Sequence, residues 1–119
     1  MVVRLERPEE FDRLLLCTID ESIKYVMGDL NAAIIYKYIE DNYCSVDKIP
    51  KNLTCFSSAL RDLIGSDRRQ ILGAACILEE TIAEALTIKL GRKFEEERPI
   101  NFPGYIKYLK QAYVFNRWV

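Results

Sequence analysis

The stretch "PEEFDRLLLCTIDESIKYVM", residues 8–27, decides the fold class. Phe11, Leu14, Leu15, Ile19, Ile23 and Val26 recur at steps of three and four. That spacing puts them on one face of a helix and is incompatible with the two-residue alternation of a strand. Pro8 suits a first turn, where its missing N–H would have had no helical partner, and Glu9, Glu10 and Asp12 suit the positive helix end. Gly28 then interrupts, and Asp29 can open a second helix.

The same period continues outward along the chain. "DLNAAIIYKYIEDNY" (29–43) carries Leu30, Ile34, Ile35, Tyr38 and Ile39 on its apolar side. "CSVDKIPKN" (44–52) reads as a loop, because Pro50 disfavours helix at and before itself. Asn52 is the expected N-cap of "LTCFSSALRDLI" (53–64), where Cys55, Phe56, Ala59, Leu60, Leu63 and Ile64 share a face and Gly65 ends the run. "RRQILGAACILEETIAEALTIKL" (68–90) is the longest expected helix. It is apolar on nearly every side from Ile71 to Leu78, as suits a helix at the centre of a fold or against a partner. After the charged loop "RKFEEERPIN" (92–101), Pro103 introduces "GYIKYLKQAYVF" (104–115), with Tyr105, Ile106, Leu109, Tyr113 and Val114 at helical spacing.

The expectation is an all-α single domain over residues 1–119, a bundle of about five helices with a long central fourth helix. Its core is expected to hold Leu15, Ile19, Ile35, Ile39, Leu60, Ile64, Leu72 and Leu86.

Composition narrows the function classes. The 119 residues are half apolar and 29% charged, which is globular composition. Seventeen basic against eighteen acidic residues leave a net charge of −1, so no global field draws the chain to nucleic acid or to a membrane. The N-terminus lacks the apolar core of a signal peptide and no run reaches bilayer length, so a cytoplasmic location is expected. The chain has no histidine, which removes the commonest general base and metal ligand. No enzyme, cofactor or metal is expected.

Several stretches, in order, resemble the Nitrosopumilus output domains, small archaeal helical domains, of the fifth type in that naming series. They are "IDESIKYV" (19–26), "AIIYKYIEDNY" (33–43), "IP" (49–50) with "FSSALRDLIG" (56–65), "KLGRKFEEE" (89–97) and "FPGYIKYLKQA" (102–112). The resemblance implies an all-helical fold, an archaeal setting and an output or interaction role, and no catalytic residues. Two features depart from it: Cys44 stands where such domains tend to carry glycine, and the segment from Gly65 to Gly91 is longer than expected.

The remaining candidates for chemistry are few. Cys17, Cys44, Cys55 and Cys76 lack the two-to-four-residue spacing of a zinc site. Cys17 and Cys76 read as small buried hydrophobes. Cys44 and Cys55 flank a loop and stand either as two plain thiols or as a disulfide of the kind found in hyperthermophilic archaea. Glu79, Glu80 and Glu84 read as a solvated helix face. Ser66, Arg68 and Arg69 put positive charge at a helix N-terminus, which suits either ion pairing with Asp62 or Asp67 or a bound anion.

The expected function is a non-enzymatic interaction or output module, homodimeric through Ala74, Ala75, Tyr113, Phe115 and Trp118 and binding a protein partner. The alternative is a nucleic-acid-associated regulator using Arg61, Arg68 and Arg69 with Lys107 and Lys110, which the neutral charge disfavours.

Overall fold

The fold was analysed in a computed structural model, which describes residues 7–65, 74–95 and 100–115. Among them are five α-helices, α1 (Arg7–Met27), α2 (Asp29–Asn42), α3 (Leu53–Ile64), α4 (Ala74–Lys89) and α5 (Phe102–Phe115). A short 3₁₀ segment, Val46–Lys51, lies between α2 and α3, and no strand occurs among the described residues.

α1 is the hub. Its 21 residues bury Phe11, Leu15, Ile19 and Ile23, spaced by one helical turn, and it packs against α2, α4, α5 and the 3₁₀ segment. The polar Thr18 shares that buried face because its hydroxyl donates to the Leu14 carbonyl at 2.7 Å, satisfying it within the helix. Gly28 turns the chain into α2 at φ 88° and ψ 162°, a conformation that is essentially glycine's alone. Gly65 ends α3 in nearly the same conformation, at φ 89° and ψ 147°.

α2 buries only part of its expected face. Ala32, Ile35 and Ile39 are buried, while Leu30 and Ile34 stand 77% and 53% exposed. The sequence offers two stripes at helical spacing. The one through Leu30 and Ile34 runs on into the exposed Lys37 and Asp41, so only the stripe through Ile35 and Ile39 stays apolar to the helix end.

The expected loop after α2 is partly regular. Pro50 lies inside the 3₁₀ segment, buried with Ile49, because a segment this short asks few N–H groups for bonds. Asn52 occupies the N-cap position of α3, but its side chain does not cap: Nδ2 donates to the Lys48 carbonyl at 2.9 Å. The cap at the start of α5 is regular, with Asn101 Oδ1 accepting from the Gly104 N–H at 3.1 Å.

α4 packs against α1, α3 and α5 and buries Ala75, Leu78, Ile82, Ala83 and Leu86. Its described part has 16 residues, so α1 and not α4 is the longest described helix; residues 68–73 of the expected fourth helix lie outside the described ones. Of the expected core, Leu15, Ile19, Ile35, Ile39, Leu60 and Leu86 are buried, Ile64 is half-buried at its edge, and Leu72 lies outside the described residues. Phe56 and Phe102 meet at the centre with ring centroids 5.9 Å apart. No described helix is long and apolar enough to cross a membrane.

Candidate functional site

The one charged side chain buried among the described residues is Glu79, a carboxylate only 1% exposed. Its register on α4, between Leu78 and Ile82, points it inward, which corrects the reading of Glu79 as part of a solvated face. Arg61 of α3 meets it with two parallel bonds, Nη1 to Oε2 at 2.7 Å and Nη2 to Oε1 at 2.9 Å. Ser57, one turn earlier on α3, donates its hydroxyl to Oε2 at 2.6 Å. The hydrogen bond to Glu79 pushes the Arg61 guanidinium above its ordinary pKa. A charge this committed is a joint between α3 and α4 and is not offered to a nucleic acid.

Of the other cations proposed for nucleic acid, Lys110 Nζ lies 3.0 Å from Asp12 Oδ1, whereas Lys107 is exposed. Arg68 and Arg69, with Ser66, lie outside the described residues. The basic patch is therefore not assembled among the described residues: two of its five members are engaged in ion pairs and two fall outside.

The interface candidates divide in the same way. Ala75 is buried in this chain's own core and offers no surface to a second copy. Tyr113 leans on Phe11 of α1, centroids 6.0 Å apart, and its hydroxyl reaches Glu10 Oε1 at 3.4 Å. Ala74 opens α4, Phe115 is 62% exposed at the end of α5, and Trp118 lies outside the described residues.

Cys44 and Cys55 are free thiols in this structure and not a disulfide. They are committed to different surroundings: Cys44 packs on the core after its N–H returns to the Ile39 carbonyl, while Cys55 lines a cleft beside α5. Burial, and then the proximity of Cys55, push the Cys44 thiol above its ordinary pKa. Next to it, Tyr43 donates its hydroxyl to Asp62 of α3, and that bond pushes the phenol up to about 12. Cys17 is exposed rather than buried, and its thiol reaches Glu21 Oε2 at 3.5 Å, one turn along α1. No group of described His, Cys, Asp and Glu side chains is placed to hold a metal ion.

Among the clefts lined by described residues, two carry charged groups. One, of about 440 Å³, lies between α1, α2 and the 3₁₀ segment and is lined by Asp20, Tyr36, Glu40 and Asp47. Asp20 is its fixed point: Lys24 Nζ is 2.9 Å away and the Tyr36 hydroxyl donates to it at 2.7 Å. These two bonds, with Lys24 the stronger influence, hold the Asp20 carboxyl below the usual aspartate range. A carboxyl whose folded pKa is depressed stabilises the fold above its unfolded value, near 4, and that contribution is lost as pH falls through the folded value. Urea midpoints measured from pH 7 down to pH 3 should therefore decline on the acid side, and Asp20→Asn should flatten that decline. Parallel curves for the two proteins would contradict the assignment.

The second cleft, of about 360 Å³, lies between α1, the start of α3 and α5. Phe11, Leu15 and Ile106 form its walls, and Lys51, Lys107 and Lys110 stand around it with Asp12. Neither the Glu79 joint nor either cleft was found from the sequence. The signal for Glu79 was present, since it falls in phase with Ala75, Leu78 and Ile82; the clefts depend on how separate helices meet.

Comparisons with protein-family models, with curated proteins and with solved structures find no match to this chain.

Proposed function

We propose that this chain is a non-enzymatic helical interaction module that pairs with a second copy of itself through the outward face of α2. The observation that carries the reading is the exposure of Leu30 and Ile34, neighbours one turn apart, with the small Ala33 beside them. α2 has already spent its other face on α1, α3 and the 3₁₀ segment. An antiparallel pair related by a two-fold axis near Ala33 would set Leu30 and Ile34 of each copy against those of the other. It would also bring Lys37 of each copy, paired at 3.1 Å with Asp41 of its own helix, near Asp29 of its partner. This self-complementarity in both apolar contact and charge is what an isologous interface requires.

α2 is about 21 Å long, so the paired face is smaller than the ~800 Å² per partner of a standard interface, and the dimer is expected to be weak. An output role in an archaeal, cytoplasmic setting belongs to the same reading and is supported by the quoted stretches of sequence and the all-helical fold. Capture of a protein partner would follow from the same face when the second copy is absent.

Sedimentation velocity over a concentration series tests the pairing. The expected result is a shift from 13.9 kDa toward twice that mass as concentration rises. Leu30→Glu with Ile34→Glu should hold the chain monomeric without loss of helicity. Monomer at every concentration would overturn the proposal, as would self-association unchanged in the double variant.

A further inference from the structure

We draw no further inference here: the strongest candidate, the acidic cleft of about 440 Å³ between α1, α2 and the 3₁₀ segment, carries none, because Asp20 is already held by Lys24 and Tyr36, Glu40 accepts from the Val46 N–H, and no second feature among the described residues points to a cation there.

Discussion

Replacing Phe56 by alanine is expected to destabilise the fold by about 3–5 kcal/mol, lowering the melting temperature by roughly 10–20 °C. Phe56 is fully buried, and its ring lies against Phe102, so the truncation removes contacts between α3 and α5 together. The hole cannot be filled cheaply, because the surrounding residues sit on four helices already fixed against one another, and a cavity adds its own penalty to the lost transfer energy. A loss of this size is a large fraction of the 5–15 kcal/mol a domain of this kind has. Leu30→Ala is the natural control. Leu30 is mostly exposed, and its truncation should change the monomer's stability by less than about 0.5 kcal/mol. Urea unfolding of the two variants checks both values, and comparable losses would mean that the burial pattern of α2 or α3 is wrong.

The second large effect is expected at the joint between α3 and α4. Arg61→Met should destabilise the protein by about 2–4 kcal/mol, because it leaves the buried Glu79 carboxylate with the Ser57 hydroxyl alone. The value is set below that of a fully buried pair since the arginine side chain is 38% exposed. Arg61→Met combined with Glu79→Met should recover most of the loss, to within about 1 kcal/mol of the wild type. Ser57 tolerates the change, since its hydroxyl can turn to the carbonyl one turn earlier in its own helix. Strict additivity of the two single variants would show that the groups do not act as a pair. Added salt is expected to leave this coupling nearly unchanged, in contrast to the exposed Lys37–Asp41 pair.

The fold class was legible in the sequence because helical period is a local property. α3 was read with the boundaries the structure gives, Leu53 to Ile64, since Asn52, Pro50 and Gly65 punctuate it on both sides. α2 was read with too wide an inward face: Ile35 and Ile39 are buried as expected, but Leu30 and Ile34 are just as apolar and only the neighbours of a helix decide between such stripes. Glu79 was misread for a different reason: residue type was weighed over phase. A carboxylate is expected in water, but its register with Ala75, Leu78 and Ile82 overrode that preference once Arg61 and Ser57 were close enough to satisfy it. The two clefts were not legible, since each is bounded by elements far apart in sequence. Of the residues expected at an interface, Ala75 lies in the chain's own core and Tyr113 is half-buried against Phe11, contacts that depend on how distant helices meet.

The contact between α1 and α5 has a consequence for how the protein is made. Phe11 packs on Tyr113, and Tyr113 reaches Glu10 across a separation of 103 residues. Ribosomes add about 5–20 residues per second, so Phe11 waits roughly 5–20 s for its partner to be synthesised. During that interval α1 and α2 can pair as a local hairpin, but the side of α1 that α5 will cover has nothing to bury it. The nascent chain is then a helical hairpin with an open apolar flank, a state in which a chaperone or a neighbouring nascent chain competes with the protein's own α5.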